Sequence, residues 1–275
     1  MPNLKELLKT MLNEKELSLV PNSYDVLGSI AVFSELKKEL RKKEKIIASV
    51  LMQNNRHIMT VAKKTGKYSG KYRLPKIKII SGIKTKEALH KENNCIFRLN
   101  IEKCYFSPRS ASERLRISKL IKPDESVLVM FSGIGIFPIV IAKNSNPKEV
   151  FGIEINPIAH KYAEENKKLN KINNLTLIKG DVKKIIPKLQ KEKKKFNRII
   201  MPLPKSSSDF LELAKKVSKK GTIIHFYDFS QEKDFPQSSI NKIKSKIKNF
   251  KALNSVLCGR YSPYTHRICI DFQIL

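Results

Sequence analysis

The segment Val127–Phe137 (VLVMFSGIGIF) constrains the fold of this chain more than any other. Gly133 and Gly135 follow directly on a run of apolar residues that is typical of a buried strand. Glycine there lets the backbone turn tightly and approach a ligand, and the first N–H groups of a following helix can then bind that ligand. The segment therefore predicts a strand, a ligand-binding turn and a helix.

From about residue 120 the sequence alternates between strand-like and helix-like segments. Asn156 is expected to cap a helix whose first residue is Pro157, with Ile158, Ala159, Tyr162 and Leu169 on one side. The alternation predicts an α/β fold with a mostly parallel sheet and helices on both faces. The predicted strands are Ser126–Phe131, Glu149–Glu154, Leu175–Ile178, Arg198–Met201, Thr222–Phe226 and Arg267–Ile274.

The N-terminal part has a different pattern, which predicts a smaller α/β domain over residues 1–100 and a catalytic domain over residues 101–275. The predicted elements are a helix at Glu35–Gln53, a Gly- and Lys-rich loop at Lys63–Tyr72 and strands at Lys76–Ile80 and Cys95–Ile101. The loop fits either a solvated turn or a loop that faces phosphates.

The charge balance favours a polyanionic partner. Lys and Arg number 55 against 25 Asp and Glu, a formal net charge of +30, and neutralising phosphates releases counterions. A compositional bias of the source proteome is the alternative. The four cysteines show no metal-binding spacing and the apolar runs are too short to span a bilayer. We expect a reduced, cytoplasmic protein with no bound metal, no membrane segment and no obligate protein partner.

Two further strand ends complete a candidate nucleotide site. Glu154 ends the second predicted strand, where a carboxylate can accept both ribose hydroxyls, and Asp181 follows the third, where an adenine amino group would be read. A nicotinamide dehydrogenase is the main rival, but Pro138 stands where its third glycine would be needed for close helix packing. The arrangement resembles class I S-adenosylmethionine methyltransferases, a fold that serves many substrates.

The segment Tyr105–Arg114 (YFSPRSASER) is the most specific one in the chain. Its Ser-Pro pair ends an extended segment and starts a helix on which Arg109, Glu113 and Arg116 share one face. Taken alone, this pattern also fits a surface helix held by salt bridges.

Together with neighbouring motifs, YFSPRxxxER resembles the archaeal and eukaryotic tRNA guanine-37 N1-methyltransferase family. The resemblance covers nearly the whole chain from Ser23 onward, through MFSGIGIF, EINPIAHKYAEENKKLN, RIIMPLP, HFYDF and YSPYTHRICIDF. It implies S-adenosylmethionine as cofactor and position 37 of a tRNA anticodon stem-loop as target.

The family's functional positions carry over to matching residues. The resemblance implies Glu113 as the general base that removes the guanine N1 proton and Arg73 as the cation that stabilises charge on O6. Tyr105, Arg109 and Arg114 would shape the pocket in which base and cofactor meet. The remaining implied cofactor residues are Phe131, Gly133, Glu154, Ile155, Asp181, Val182 and Pro202.

Two departures from the family pattern refine the expectation. Pro202 replaces the asparagine of the usual Asn-Leu-Pro, which resembles the archaeal branch that also methylates C7 of 4-demethylwyosine to give isowyosine. A neutral substitution in a plain guanine N1-methyltransferase is the alternative. The small N-terminal domain with which longer members touch the tRNA elbow is expected to be absent.

Two functions of other classes remain open. A non-catalytic RNA-binding protein would explain the charge, but all the residues of a cofactor site are present together. A methyltransferase for adenine N6 or protein glutamine usually carries an Asn/Asp-Pro-Pro-aromatic motif, and Met201–Pro204 lacks it.

Overall fold

The computed structural model describes residues 3–66 and 68–275. The chain divides into two compact units, one formed by Met1–Lys91 and Ile96–Pro108 and the other by Glu92–Cys95 and Arg109–Leu275. By this division residues 101–108 belong with the first unit, whereas the sequence assigned them to the second domain. The limits 1–100 and 101–275 therefore remain a prediction about domains.

The first unit combines short helices with a four-stranded sheet, in which the strands lie in chain order, and a separate two-stranded sheet. Its core is formed mainly by apolar residues of two helices and the central strands of the larger sheet. The elements are α1 (Leu4–Leu8), α2 (Glu14–Leu19), β1 (Asp25–Leu27), β2 (Ile30–Phe33), α3 (Glu44–Asn54), β3 (Thr60–Lys64), β4 (Ile77–Gly82), β5 (Glu87–Glu92) and β6 (Cys95–Asn100).

The helix expected at Glu35–Gln53 is shorter than predicted. Only a 3-10 turn, Lys38–Leu40, precedes α3, which begins at Glu44. Along a continuous helix, Lys37 would face Arg41 and Lys38 would face Lys42, and each of these pairs of like charges would be destabilising. The loop expected at Lys63–Tyr72 also differs, because its first two residues end β3; Lys67 lies outside the described residues.

The second unit is a seven-stranded sheet covered by helices. Its strands are β7 (Ser126–Met130), β8 (Glu149–Glu154), β9 (Leu175–Lys179), β10 (Phe196–Met201), β11 (Ser218–Gln231), β12 (Phe250–Ser262) and β13 (Thr265–Ile274). Its helices are α4 (Ala111–Leu120), α5 (Ile136–Asn144), α6 (Pro157–Leu169), α7 (Val182–Lys191), α8 (Leu211–Lys216) and α9 (Gln237–Lys246).

The strand order is β12-β13-β11-β10-β7-β8-β9. The five strands from β11 to β9 are parallel, and β13 is antiparallel to both of its neighbours. The parallel strands therefore end at one edge, here called the carboxyl edge, which is where open α/β sheets bind ligands. The predicted α/β fold, with its mostly parallel sheet and helices on both faces, is confirmed.

The helix predicted after Asn156 is confirmed, but its buried side was misjudged. The Asn156 side chain accepts hydrogen bonds from the N–H groups of Ile158 and Ala159, and Pro157 is the first helical residue. The buried residues are Ala159, Ala163 and Asn166, while Ile158 and Leu169 are exposed. Small residues face inward because the cofactor turn packs closely on this helix.

The strand β12 was missed because it lies at the edge of the sheet. Four successive residues, Lys251–Asn254, are exposed, so the strand lacks the alternation of buried and exposed positions that marks a half-buried strand. The four cysteines are buried, and none of them forms a disulfide. Among the described residues, no helix is long and apolar enough to cross a membrane.

Candidate active site

The turn between β7 and α5 has the backbone that its glycines predict. Gly133 and Gly135 have φ angles of 58° and 80°, in the left-handed region that favours glycine. A Cβ on Gly135 would lie 3.2 Å from the Cβ of Ala163, so this glycine allows α6 to pack against the turn. A Cβ on Gly133 would meet no atom within 4 Å, which leaves open space on the other side of the turn.

Phe131, at the end of β7, also has a left-handed backbone, with φ at 63°. A non-glycine residue held this way costs about 1–3 kcal/mol and is found where a site requires it. Its ring meets the ring of Phe210 edge to face at 4.8 Å, and the Lys183 ammonium lies 5.6 Å from the Phe210 ring. These three residues follow β7, β10 and β9, so they close one side of the carboxyl edge.

Glu154 ends β8 and is bound to the turn. Its carboxylate accepts hydrogen bonds of 2.7 Å from the N–H groups of Gly133 and Asn156. Burial raises the pKa of Glu154, and the backbone hydrogen bonds only partly oppose that shift. Glu154 therefore holds the shape of the turn and also lies beside the open space at Gly133.

The remaining predicted residues of this edge have identifiable structural roles. Asp181 caps α7, with its side chain accepting from the Lys183 N–H at 2.9 Å. Val182 is buried in the core of the second unit, and Ile155 is half-buried beside Glu154. These contacts place the predicted cofactor residues along the edge, and their binding role remains a prediction.

The residues at the carboxyl edge are chemically suited to bind S-adenosylmethionine. The open side of Gly133 leaves room for a ligand beside the turn, and the buried Glu154 carboxylate beside it can accept from ribose hydroxyls. In addition, the hydroxyl of Ser132, next to Gly133, is buried without a hydrogen-bond partner. A buried hydroxyl without a partner is costly, and a polar ligand at the turn would offer one.

Glu113, on α4, is buried among hydrogen-bond donors. Arg116 donates to both of its oxygens, from Nε at 2.7 Å and from Nη2 at 2.8 Å. The Tyr227 hydroxyl of β11 donates to Oε1 at 2.6 Å. Burial raises the pKa of Tyr227, as does the nearby negative charge, so the hydroxyl keeps its proton. The carboxylate of Glu113 is therefore held as an acceptor.

Tyr227 also connects Glu113 to the cofactor turn. Its ring meets that of Phe137 edge to face, with centroids 5.9 Å apart. Phe137 is the second residue of α5, the helix that Gly135 caps. The candidate base and the candidate cofactor turn thus lie within one compact unit and are joined by two side-chain contacts.

A buried ionic network extends from Arg116 across the sheet. Asp271 accepts from Arg116 at 2.7 Å and lies 2.6 Å from His225 Nδ1. His225 Nε2 lies 3.0 Å from the Arg198 guanidinium, which donates two hydrogen bonds to Glu125 at 2.7 and 2.9 Å. Burial would raise the pKa of Asp271, but His225 and Arg116 hold it well below its usual range.

The partners of His225 determine its protonation. A guanidinium can only donate, so Nε2 must accept from Arg198 and the single ring proton lies on Nδ1, facing Asp271. Burial lowers the pKa of His225, in agreement with a neutral ring. His225, Cys269 and Asp271 lie close enough to hold a metal ion, but Arg198 and Arg116 already donate to two of these groups.

Two further predicted residues lie at the start of α4. Arg114 is buried and donates two hydrogen bonds to Glu92, at 2.6 and 2.5 Å, and so fastens the β5–β6 turn to the helix. Arg109 is exposed in the 3-10 turn that precedes α4. A direct role of either residue in cofactor binding remains a prediction.

Arg73 and Tyr105 belong to the first unit. Arg73 has a left-handed backbone, with φ at 51°, in a turn closed by a bridge between Ser69 and Leu74. Tyr105 is 50% exposed, and its ring meets that of Tyr68 edge to face at 5.5 Å. The catalytic roles of Arg73 and Tyr105 remain predictions.

Pro202 follows the last residue of β10 at the carboxyl edge. The carbonyl of Met201 accepts from the Leu203 N–H at 2.8 Å and from the Ser207 hydroxyl at 3.1 Å. The backbone of this loop is therefore fixed by its neighbours, and Pro202 presents a ring where an asparagine would present an amide.

We did not predict Tyr227, His225 or Asp271 as site residues from the sequence. The available signal was their presence in HFYDF and YSPYTHRICIDF, two motifs that carry the family resemblance. Tyr227 and Glu113 are 114 residues apart, and no local pattern indicates that they meet.

Comparisons with known proteins agree with this geometry. Residues 88–254 match the model of the TRM5/TYW2 methyltransferase domain, and residues 4–85 match that of the TYW2 N-terminal domain. The chain is 37% identical to the tRNA (guanine(37)-N(1))-methyltransferase Trm5b of Pyrococcus abyssi, over 93% of this chain and 76% of that protein. It is 31% identical to the tRNA (guanine(37)-N(1))/4-demethylwyosine(37)-methyltransferase Taw22 of Nanoarchaeum equitans, over 92% of this chain and all of that protein.

Solved structures of Trm5 and TYW2 proteins have the same fold as this chain. The complex of aTrm5 with tRNALeu superposes with a TM-score of 0.87 and 29% identity, over 100% of this chain and 78% of that one. TYW2 of Methanocaldococcus jannaschii in complex with AdoMet superposes with a TM-score of 0.69 and 26% identity, over 92% of this chain and 100% of that one.

The parallel sheet, the glycine turn and Glu154 define a class I S-adenosylmethionine-dependent methyltransferase fold. Within that class, the chain belongs to the TRM5/TYW2 methyltransferase family. It is an enzyme of S-adenosylmethionine-dependent tRNA modification, as the sequence predicted.

Proposed function

We propose that this enzyme methylates the guanine-derived base at position 37 in the anticodon stem-loop of tRNA, at N1 of guanosine and at C7 of 4-demethylwyosine. The observation that carries the proposal is the contact of Glu113 with Tyr227, whose ring contacts Phe137 at the cofactor turn. This contact brings a proton acceptor close to the site that would hold the methyl donor. Taw22, a relative of full-length similarity, is named for both reactions.

Glu113 provides the acid–base chemistry of the proposal. Guanine N1 bears a proton and is a poor nucleophile until that proton leaves, and Glu113 would accept the proton as N1 takes the methyl group, with the neutral thioether of the donor as leaving group. S-adenosylmethionine supplies the activated methyl group. Arg116 and Tyr227 hold the carboxylate in place throughout.

The other predicted residues complete the proposal. Glu154 would bind the ribose hydroxyls and Asp181 the adenine, with Phe131, Gly133, Ile155, Val182, Arg109 and Arg114 around the ligand. Arg73 would stabilise negative charge on O6 of the target base, and Tyr105 would contribute to the pocket. Pro202 supports the wider specificity, because its ring leaves a less polar wall for a tricyclic base.

A second candidate reaction has a specific observation in its favour. The N-terminal match is to the TYW2 domain, and the chain is 33% identical to the tRNA(Phe) (4-demethylwyosine(37)-C(7)) aminocarboxypropyltransferase of Methanocaldococcus jannaschii, over 96% of that protein. That enzyme is named for transfer of a different group to C7 of the same base. The mass of the product distinguishes the two reactions.

The test uses two anticodon stem-loop RNAs, one with guanosine and one with 4-demethylwyosine at position 37. Each is incubated with S-adenosylmethionine, and the nucleosides are identified by mass spectrometry. We expect a methylated product from both RNAs, and a rate lower by about 10²–10⁴-fold for Glu113→Gln. The exposed Glu192→Gln is the matched control and should retain full activity.

Methylation of guanosine alone would restrict the enzyme to N1 chemistry. An aminocarboxypropyl adduct would favour the second candidate. If neither RNA is modified while S-adenosylmethionine binds in calorimetry, the proposed substrate is wrong.

A further inference from the structure

Strand β11 and the hairpin formed by β12 and β13 extend beyond the carboxyl edge of the sheet. β10 ends at Met201, which lies opposite Phe226 of β11. β11 continues for five more residues, to Gln231, and is paired with β13 throughout. At about 3.3 Å per residue the extension reaches roughly 16 Å past the edge at which the cofactor turn lies.

One face of this extension begins with Tyr227, which contacts the candidate base Glu113. Alternate residues of a strand point to the same face, so Tyr227, which contacts Glu113, shares its face with Phe229. Arg267 of β13 lies directly opposite Phe229 and shares that face. The ring of Phe229 packs on the ring of Tyr261 in β12, with centroids 4.2 Å apart and planes inclined by 34°.

The opposite face is covered. Asp228 accepts hydrogen bonds from Ser239 and Lys242 of α9, and the Ser230 hydroxyl lies 3.1 Å from that of Ser238. Because successive side chains of β11 alternate between its two faces, one face is bound to α9. The other face carries Phe229, which forms the aromatic pair with Tyr261.

The rings of the aromatic pair are only partly buried in the fold. Tyr261 is 68% exposed and Tyr264, in the hairpin turn, is 73% exposed, the two highest exposures among the large apolar side chains of residues 3–66 and 68–275. Rings that served only to stabilise the hairpin would gain by being buried. A flat, exposed ring beside a cation is the arrangement on which nucleobases stack.

The chain segment that includes β12 is rich in basic residues, and one carboxylate, that of Glu232, lies near it, 4.0 Å from His266. From Phe235 to Ile270 the chain has seven Lys and Arg residues and no Asp or Glu. Arg267 shares the face of Phe229 and donates to the Cys258 carbonyl at 3.3 Å. Arg260, by contrast, pairs with His266 and lies on the other face, with Ser230. Arg267, on the face that carries Phe229, is a cation suited to a phosphate of the RNA backbone.

We propose that Phe229, Tyr261 and Arg267 form a stacking platform for a single-stranded RNA nucleotide next to the target base. The inference rests on the proposed function. A base that enters an active site leaves its neighbours unstacked, and a platform about two residues along the strand from Tyr227 would offer one neighbour a new stacking surface.

The test measures RNA binding at equilibrium, without turnover. Anticodon stem-loops carry fluorescent 2-aminopurine at position 36 or 38, next to guanosine 37. We expect wild-type protein to quench 2-aminopurine at one of these positions. Tyr261→Ala should abolish that quenching and raise the Kd for RNA about 5- to 100-fold, whereas Tyr261→Phe should preserve both.

The control is Leu169→Ala. Leu169 is exposed at the far end of α6, away from the carboxyl edge, and its loss should leave quenching and affinity unchanged. Calorimetric binding of S-adenosylmethionine should be the same for every variant, which shows that each one is folded.

The outcomes separate the two proposals. Unchanged quenching and affinity in Tyr261→Ala would overturn the platform, even if wild-type protein methylates the RNA. A dimer that dissociates in Tyr261→Ala, seen by sedimentation, would assign the face to a second copy and also overturn it. Tyr261-dependent stacking without any methylated product would contradict the proposed function alone.

Discussion

The hydroxyl of Tyr227 donates to Oε1 of Glu113 across 2.6 Å, and both side chains are buried. The bond joins α4 to β11, two elements that are far apart in the sequence. Arg116 holds the carboxylate from its own helix and also donates to Asp271 of β13, so Tyr227 is a second connection between the candidate base and the sheet.

Removal of this hydroxyl should slow the reaction without weakening cofactor binding. Tyr227→Phe keeps the ring against Phe137 but loses a hydrogen bond to a charged group, worth about 1.5–3 kcal/mol. We expect kcat to fall by roughly tenfold or more, since each 1.4 kcal/mol corresponds to a factor of ten. Single-turnover kinetics with saturating S-adenosylmethionine would measure it.

Tyr24→Phe, in the first unit, is the matched control and should not change kcat. An unchanged rate for Tyr227→Phe would mean that Arg116 alone positions the carboxylate.

Glu154 should make cofactor affinity depend on pH. Burial raises its folded-state pKa above the usual 4.5, so the carboxylate takes up a proton at a higher pH than an exposed one. Ribose hydroxyls donate to the ionised form, and affinity for S-adenosylmethionine should therefore fall as the pH decreases towards that pKa. Calorimetry on Glu154→Gln should give a weaker, pH-independent Kd, higher by roughly tenfold at pH 7.5.

A Glu154→Gln variant with wild-type affinity at pH 7.5 would show that the side chain serves only the backbone of the turn.

His225 should contribute to acid instability. Burial lowers its folded-state pKa below the usual 6.5, so the unfolded chain binds the proton first as the pH falls. The stability it gives is present above pH 6.5 and declines below it, by up to about 1.4 kcal/mol per pH unit. Urea unfolding of wild type and His225→Gln between pH 7 and 5 should show a flatter decline for the variant. Parallel declines would place the titration elsewhere.

Pro202 should influence the choice of target base. Pro202→Asn restores an amide next to the well-fixed carbonyl of Met201. We expect the ratio of product from the guanosine RNA to product from the 4-demethylwyosine RNA to rise by roughly tenfold, measured as kcat/KM on each. An unchanged ratio would make Pro202 a neutral substitution.

The parts of the site that follow from local sequence were predictable. The glycine turn, the Asn156 cap and the end of β8 at Glu154 each depend on a few consecutive residues. The helical segment that carries Glu113 was also identified, together with Arg116 on the same face. In these cases the backbone conformation is set by propensities that act over one or two turns.

The remaining parts depend on contacts between distant segments. Nothing in the sequence around Glu113 indicates that Tyr227 will donate to it. The position of β11 relative to α4 results from the packing of the whole sheet. The edge strand β12 was missed for a related reason, since its exposed residues show no pattern until β13 pairs with it.

The buried network around Glu113 has an uneven charge count. It contains three carboxylates, those of Glu113, Asp271 and Glu125, but only two guanidiniums, those of Arg116 and Arg198, and the imidazole between them is neutral. The set therefore carries one surplus negative charge in a medium of low polarity, which is unfavourable. In the proposed reaction, one proton transferred from the substrate to Glu113 would make the network neutral, so its charges would balance in the state that follows proton transfer.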